Sequence, residues 1–558
     1  MIQNLMLVFA ILIPLSAETA DAMSTISVTI VNPSIETLTI DEETVIVNED
    51  GSFHYSFSST SGEIHTLLVS GQPIRLYVNP GENLLITFDE SNPCQTISFQ
   101  GESAPINSYL IIEDRINAEL APVFRIGQEH WVSLFQLEEE EFLQRLDFYR
   151  QRYYDALEQA GLDNQQFLSD REISIRLAFD WVILQYPHFH RRYTGIPTEL
   201  SIQTVEYLEE INLDDPALLS LEGYFAFASE MLHSKIRWVF IENEEVLSSS
   251  DNQWLQASLQ VVSEVFHHPD TRAYLEFHFI RDHIERNGIK NLLPFIEAFN
   301  PSGEYSYLDD ALTDIYQSEI TRYNDHLIMT YKTVDGFDLD AHVFLPEDLN
   351  PDERRPAVIY LHGGSWSEGK PDWQFGTSRY GFVNICIEYR TYERYRSLPT
   401  DAVADAKSAI RWVRMNAVEL NVDANRIIVS GNSAGGHLAL CTVMVDDFDE
   451  TDEDLSVSSC PDALILTSAV YDLDGNSWFA GMLDSPELLE SITPLLHIDS
   501  GLPPMLMFHG SEYVESAPFL DCERFIEDMR QAGNTVHFYP IAGKGHFLWQ
   551  YEIGRAHV

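Results

Sequence analysis

An apolar strand that runs directly into a glycine-flanked serine and then into a helix constrains the fold of this 558-residue chain most. Residues 427–438 read IIVSGNSAGGHL, with Ser433 at the centre of a G-x-S-x-G pattern. Such a turn is so tight that small residues must flank the serine, and it exposes the hydroxyl at the helix N-terminus. The pattern therefore predicts a nucleophile elbow.

Two further motifs stand in the order that nucleophilic serine chemistry needs. The H-G-G motif at residues 362–364 directly follows the apolar run 357–361, and His546 follows the strand-like run 536–539. A lone G-x-S-x-G arises often by chance, whereas three matching pieces in the right order rarely do. Together they predict serine-dependent hydrolysis, with an ester as the expected substrate.

The three motifs assign a role to each residue of the predicted site. Ser433 is the predicted nucleophile, and His546 is the base that takes its proton. The backbone N–H groups of Ala434 and of Gly363 or Gly364 are expected to form the oxyanion hole, because a Cβ at these glycines would block the carbonyl oxygen.

Trp366, two residues beyond the H-G-G motif, has two possible roles. It is predicted to line the acyl pocket, and simple packing of the ring remains the alternative. No residue set in the sequence suggests a metal, nucleotide or flavin site, so no cofactor is expected.

The charge of the chain limits its partners. The sequence has 88 acidic and 33 basic residues and a formal net charge of −55. Such a surface repels nucleic acid and anionic lipid, so neither is an expected partner. Adaptation to high salt and an acidic exported protein are both compatible with this charge.

Both ends of the chain carry segments that are not expected to belong to the folded protein. Residues 1–22 resemble a signal peptide, with an apolar core at residues 5–15 that is too short for a comfortable membrane span. The expected location is therefore periplasmic or secreted, without stable membrane insertion. Residues 552–558 read like a translated sequencing adapter and are predicted to be a non-native tail.

Three patterns follow one another between these ends and predict an α/β protein with preceding domains. Residues 23–104 contain short β-branched runs separated by turn residues, which predicts a small β-sandwich. Residues 105–316 show the three- and four-residue apolar spacing of a helical domain. In residues 317–551, helices alternate with strands, which predicts a doubly wound, mostly parallel sheet opened by an antiparallel hairpin.

The β-sandwich segment resembles the N-terminal module of periplasmic thioredoxin-like proteins. The resemblance is carried by NEDGSF at residues 48–53, VNPGENL at 78–84, FQGE at 99–102 and NSYL at 107–110. In those proteins a domain with C-x-x-C follows the module. This chain has no C-x-x-C, so no redox function is expected.

From about residue 324 onward the chain resembles the α/β-hydrolase superfamily, specifically carboxylesterases of the hormone-sensitive-lipase-like and feruloyl-esterase-like kind. The elbow and the H-G-G motif carry this resemblance, together with Tyr389-Arg390, Asp405-Ala406-Lys407 and the LPP of residues 502–504 ahead of His509-Gly510. The resemblance implies a small-molecule ester as substrate and an acid that completes a catalytic triad.

The position of this acid departs from the family pattern. The acid of these families lies four residues after the histidine that corresponds to His509, and this chain has Tyr513 there. Glu512 is the favoured substitute, since the extra methylene of glutamate can offset a shift of one residue. Glu515 is the second choice, and the third is that the acid is absent and activity is impaired.

Three functions remain open at the level of sequence. The favoured one is an exported carboxylesterase that acts on short-chain or carbohydrate-linked esters. The second is a serine peptidase of the prolyl-oligopeptidase type, which would require a β-propeller upstream. The third is a non-catalytic binding or scaffold protein with a decayed triad, which Tyr513 motivates. The sequence leaves the oligomeric state open.

Overall fold

The computed structural model describes residues 22–41, 43–59, 61–242, 251–323, 326–350, 352–371, 377–473, 485–512 and 517–548. Apart from Ala22, the predicted signal peptide lies outside these residues, as do Tyr513, Glu515 and the predicted tail at 552–558. The chain divides into two compact units, an N-terminal unit, Met1–Met231, and a C-terminal unit, Leu232–Val558.

The described strands and helices are numbered in chain order. The strands are β1 (Ala22–Val31), β2 (Thr37–Ile40), β3 (Glu43–Ile46), β4 (Ser52–Ser59), β5 (Glu63–Val69), β6 (Gln72–Val78), β7 (Asn83–Asp89), β8 (Ser98–Gln100), β9 (Leu327–Val334), β10 (Phe337–Phe344), β11 (Arg355–Leu361), β12 (Val383–Ile387), β13 (Val422–Asn432), β14 (Ala463–Thr467), β15 (Met505–Gly510) and β16 (Val536–Ile541). The helices are α1 (Pro93–Thr96), α2 (Ala104–Leu120), α3 (Glu129–Phe135), α4 (Glu139–Gln159), α5 (Gln165–Leu184), α6 (Tyr186–Thr194), α7 (Ile202–Leu208), α8 (Tyr224–Glu242), α9 (Gln253–Val265), α10 (Pro269–Asn287), α11 (Leu293–Ala298), α12 (Leu308–Tyr323), α13 (Tyr392–Tyr395), α14 (Pro399–Met415), α15 (Ala434–Met444), α16 (Pro486–Ser491) and α17 (Phe519–Gln531).

The N-terminal unit begins with the predicted β-sandwich. Two four-stranded sheets, in the orders β4-β1-β7-β8 and β3-β2-β5-β6, enclose one apolar core. Alternate residues of each strand point into this core, for example Leu84, Ile86 and Phe88 of β7, which are buried. The apolar alternation that predicted the strands is thus the packing face of the sandwich.

The C-terminal unit is built on one eight-stranded sheet in the order β16-β15-β14-β13-β11-β12-β10-β9. Strands β9 and β10 form an antiparallel hairpin, and β10 pairs antiparallel with β12. Strands β11 to β16 all run parallel to one another. This is the predicted doubly wound α/β sheet with its opening hairpin, and the fold class is confirmed.

Burial on both faces explains why the parallel strands read as continuous apolar runs. In β11 the residues from Ala357 to Leu361 are all buried, and the same holds for every residue of β12. The carboxyl ends of parallel strands meet at one edge of the sheet, where α/β proteins form their ligand sites. Strands β11 and β13 are neighbours at this edge.

The division between the two units differs from the predicted domain boundary at 316/317. It falls within α8, so helices α9 to α12 belong to the same compact unit as the sheet. Inside this unit, Asp251 at the start of the helical segment pairs with the buried Arg394, at 2.9 Å.

Among the described helices, none combines the length and apolar character needed to cross a membrane.

Candidate active site

Ser433 lies at the turn between β13 and α15 with a strained backbone. Its φ is 52° and its ψ is −121°, a combination that residues with a Cβ rarely adopt. The Ser433 N–H donates to the Thr467 carbonyl at 3.1 Å, and its own carbonyl accepts from the His437 N–H at 3.1 Å. The neighbouring strand and the first helical turn therefore fix the strained serine.

The two glycines of the G-x-S-x-G pattern allow close approach of the elbow helix to the sheet. A Cβ at Gly435 would collide with the carbonyl oxygens of Leu361 and His362. A Cβ at Gly431 would collide with the backbone of Gly435. The elbow therefore lies against the end of β11, where the H-G-G motif begins.

The H-G-G motif opens the loop of residues 362–370, which we call the oxyanion loop. Gly364 has a φ of 121°, and a Cβ at Gly363 would lie 2.7 Å from the side-chain amide nitrogen of Asn432. Gly364 requires glycine, because a Cβ there would also collide with the Glu368 carbonyl, whereas a Cβ at Gly363 would displace the Asn432 side chain. Small residues at both positions are expected in a loop that must leave space for a carbonyl oxygen. The role of Gly363, Gly364 and Ala434 as oxyanion donors remains a prediction that this geometry supports.

His362 supports the oxyanion loop. Its ring stacks on Tyr389 with a centroid distance of 4.0 Å, and its Nδ1 donates to the Gly363 carbonyl at 2.7 Å. The Tyr389 hydroxyl donates to the His362 carbonyl at 2.8 Å. Burial lowers the pKa of His362 to about 4, so the imidazole is neutral near pH 7.

His546 lies in the loop after β16, beside the end of β15. This loop is packed so closely that a Cβ at Gly510 would collide with the carbonyls of Lys544 and Gly545. Burial, and to a lesser extent the nearby His509, lowers the pKa of His546 to about 4. The imidazole is therefore unprotonated near neutral pH, which is the form that a general base requires.

Glu512, the favoured acid, belongs to the segment that adjoins the His546 loop. Its backbone N–H donates to the Lys544 carbonyl at 3.0 Å, and the Ser511 hydroxyl accepts from the Gly543 N–H at 3.0 Å. The alternative acid Glu515 and the family position Tyr513 lie outside the described residues. The choice of acid stays a prediction.

Trp366 is buried rather than open to solvent. Its ring meets the ring of His437 edge to face, with a centroid distance of 5.0 Å and an interplanar angle of 88°. His437 lies on the elbow helix and donates through Nε2 to the Ile492 carbonyl at 2.7 Å. This contact agrees with a packing role for Trp366, and its place in the acyl pocket stays a prediction.

The structure adds Asn432 and Thr467, which the sequence analysis did not single out. The Asn432 side chain accepts from the Tyr360 hydroxyl at 2.6 Å and lies beside Gly363. Thr467 provides the carbonyl that fixes the Ser433 N–H. Asn432 is the first x of the G-x-S-x-G pattern and could have been singled out for that reason, whereas nothing in the sequence around Thr467 marks it.

Among the described residues, no cluster of His, Cys, Asp and Glu could hold a metal ion.

Comparison with known proteins agrees with this geometry. A family model described as BD-FAE matches residues 342–515, which contain the elbow and the oxyanion loop. The chain is 28% identical over 233 residues to the probable isoprenylcysteine alpha-carbonyl methylesterase ICMEL1 of Arabidopsis thaliana, covering 37% of this chain and 47% of that protein. The C-terminal part of the chain is an α/β-hydrolase of the esterase type.

Two further proteins that are similar to part of this chain are named esterases. Esterase LipC of Mycobacterium tuberculosis is 27% identical over 219 residues, covering 35% of this chain and 54% of LipC. Thermogutta terrifontis esterase 2, solved after phosphoramylation by tabun, is 38% identical and covers 40% of this chain and 86% of that chain, with a TM-score of 0.38. The chain spans about half the length of ICMEL1 and LipC.

Proposed function

We propose that this protein is an exported serine carboxylesterase that cleaves short-chain or carbohydrate-linked esters through an acyl-serine intermediate. The observation that carries the proposal is the strained Ser433, with φ 52° and ψ −121°, at the carboxyl end of a central parallel strand. Strain of this kind persists only where surrounding contacts impose it, and it clusters at functional sites. The glycine-rich oxyanion loop follows the adjacent strand β11.

The mechanism is a double displacement. His546 takes the proton of the Ser433 hydroxyl, whose oxygen bonds to the acyl carbon, and the oxyanion is stabilised by the N–H groups of Ala434, Gly363 and Gly364. Collapse breaks the bond to the alcohol oxygen, which receives the proton from His546. Water then repeats both steps on the acyl-serine, which releases the acid and restores the serine.

Two features support the finer parts of the proposal. The signal-like segment 1–22 favours export to the periplasm or outside the cell, and the net charge of −55 is compatible with it. The H-G-G-x-W motif favours small or carbohydrate-linked esters over long-chain lipids. N-terminal sequencing of the protein recovered from a secreting host tests export, and an uncleaved, cytoplasmic product would contradict it.

Hydrolysis of p-nitrophenyl acetate, butyrate and octanoate, at low and high salt, tests the activity. Wild type is expected to turn over the two shorter esters fastest, and Ser433→Ala is expected to lower kcat by at least about 1,000-fold because the nucleophile is lost. Ser456→Ala, on an exposed loop, is the matched control and is expected to behave as wild type.

The outcomes separate the three functions. Serine-dependent turnover that falls with chain length supports the esterase. Cleavage of peptides but not esters, again dependent on Ser433, would favour the peptidase. A folded wild-type protein without either activity would contradict both and leave a binding or scaffold role.

A further inference from the structure

The oxyanion loop contains two consecutive non-glycine residues with a strained backbone. Ser365 and Trp366 have φ values of 55° and 58°, a left-handed conformation that is unfavourable for residues other than glycine. Inside the loop, the Gly364 carbonyl accepts from the N–H groups of Ser367 and Glu368, at 3.0 and 3.1 Å. Such conformations persist only where the surroundings impose them, so contacts from outside the loop matter.

The last turn of helix α10 provides these contacts to three consecutive loop residues. Glu368 pairs with the Nε of Arg286 at 2.7 Å. The Gly369 N–H donates to the side-chain oxygen of Asn287 at 3.2 Å, and the Lys370 ammonium donates to the carbonyl of Ile284 at 3.3 Å. Asn287 itself is buried.

Gly369 connects this turn of α10 to the glycines of the oxyanion hole. It has a φ of 137°, and a Cβ there would collide with the His362 ring and the Gly363 carbonyl. The backbone of Gly369 therefore lies directly against the start of the loop. A displacement of Gly369 would move His362 and, with it, Gly363.

The opposite side of the loop is fixed as well, but by residues inside the matched family segment. The N–H groups of Tyr392 and Glu393 donate to the carbonyls of Trp366 and Ser367, at 3.0 and 2.9 Å. Helix α10 instead lies outside the segment that matches the BD-FAE model, residues 342–515. The contact from Asn287 therefore comes from outside the part of the fold that the family model covers.

We propose that Asn287 is a positioning residue for ester hydrolysis, which fixes the oxyanion loop through Gly369 without touching the substrate. The inference rests on the proposed function, because it assumes that the N–H groups at Gly363 and Gly364 bind the oxyanion. Donors of this kind act only when they are fixed before the reaction, and a misplacement of about 1 Å can cost about 100-fold in rate.

Asn287→Leu and Asn287→Asp form the test pair. Leucine removes the oxygen that accepts from Gly369, whereas aspartate retains one. The Asn287 amide also bonds to the Glu393 carboxyl, and burial raises the pKa of Glu393 to about 8. Burial favours the neutral form of the Glu393 carboxyl, which repels an aspartate at position 287 less than a carboxylate would, so the pair is compared at pH 7 and below.

The measurement is the kcat for p-nitrophenyl butyrate per active site, with the sites counted by the burst of p-nitrophenol from a p-nitrophenyl phosphonate. A merely structural defect lowers the number of sites, whereas a displaced oxyanion hole lowers kcat per site and leaves KM nearly unchanged. Glu285→Gln, on the same turn of α10, is the matched control and is expected to keep the wild-type kcat.

Asn287→Leu is expected to lower kcat per site by about 10- to 100-fold, and Asn287→Asp to recover most of the loss. A loss below tenfold, or one that Asn287→Asp does not recover, overturns the inference. Should Asn287→Leu fail to fold, Asn287→Ser, whose shorter side chain withdraws the acceptor from the Gly369 N–H, is judged by the same tenfold limit. If Ser433→Ala keeps full activity, the proposed function fails; if only the Asn287 result fails, the esterase stands without this positioning residue.

Discussion

Glu512 lies where the segment after β15 meets the loop that contains His546. Two hydrogen bonds of 3.0 Å, from the Glu512 N–H to the Lys544 carbonyl and from the Gly543 N–H to the Ser511 hydroxyl, join the segment to that loop. A glutamate at this position is one methylene longer than the aspartate usual in such triads. This extra length is the reason for proposing Glu512 as the acid, one residue before the family position.

Glu512→Gln is expected to lower kcat/KM by about 1,000- to 10,000-fold, because a neutral amide neither orients the imidazole correctly nor stabilises the imidazolium. The assay is hydrolysis of p-nitrophenyl butyrate, with folding checked by circular dichroism. Glu515→Gln is the matched control and is expected to retain activity close to wild type. The reverse ranking would assign the acid to Glu515, and two active variants would mean that neither glutamate is the acid.

At the scale of elements, Asp405 joins three parts of the sheet unit. It lies fully buried on α14, and its carboxylate pairs with the guanidinium of Arg390, at 2.9 Å, in the segment after β12. Its Oδ1 also accepts from Lys332 of β9, at 2.5 Å. Asp423, at the start of β13, instead pairs with Arg426 at 2.7 Å near the surface.

These two aspartates predict different costs for the same substitution. Asp405→Asn is expected to destabilise the C-terminal unit by about 1–3 kcal/mol, because it removes the buried carboxylate that Arg390 and Lys332 share and leaves the partly exposed Glu450 as the remaining close partner of both. Asp423→Asn is the matched control and is expected to change the stability little, since water solvates its exposed partner. Urea unfolding, followed through the transition of the C-terminal unit, measures both. Equal shifts of the two midpoints would contradict the argument.

Elements with local signals could be predicted from the sequence, and contacts between distant segments could not. The apolar run 357–361 is found within β11, because a buried parallel strand is visible as a continuous run. The Asn287–Gly369 hydrogen bond joins residues 82 positions apart and has no local pattern. The same limit applies to Thr467, because it is the pairing of β13 with β14 that brings it to Ser433.

The division of the chain into two compact units also depends on tertiary contacts that leave no pattern in the sequence. Helical spacing is the same on both sides of Met231, so it predicted one helical domain at 105–316. The buried pairing of Asp251 with Arg394 places the later helices with the sheet. An ion pair across 143 residues is set by tertiary packing, which periodicity does not report.

At the scale of the whole C-terminal unit, many histidines are buried in the neutral form. Burial lowers the pKa of each from 6.5 to about 3 or 4; they are His278, His283, His342, His362, His437, His509 and His546. The unfolded chain binds protons at these sites below pH 6.5, whereas the folded chain does so only near pH 4 or below. The free energy of unfolding therefore falls as the pH drops from 6.5 to 4, by up to about 1.4 kcal/mol per pH unit for each histidine.

The interval from pH 6.5 to 5 isolates this effect, because ordinary carboxylates remain largely ionised there and the net charge from acidic residues changes little. His437→Gln and His497→Gln are the matched pair, since both rings donate through Nε2 to a backbone carbonyl, at 2.7 and 2.9 Å. Urea unfolding at several pH values in 1 M NaCl, which screens repulsion between carboxylates, gives the slope of stability against pH. His437→Gln is expected to reduce this slope by up to about 1.4 kcal/mol per pH unit, because glutamine does not titrate. His497→Gln removes the same kind of hydrogen bond from a partly exposed ring and so controls for the loss of that bond. A wild-type slope in both variants would mean that folding does not lower the pKa of His437, and the burial argument would then fail for the elbow helix.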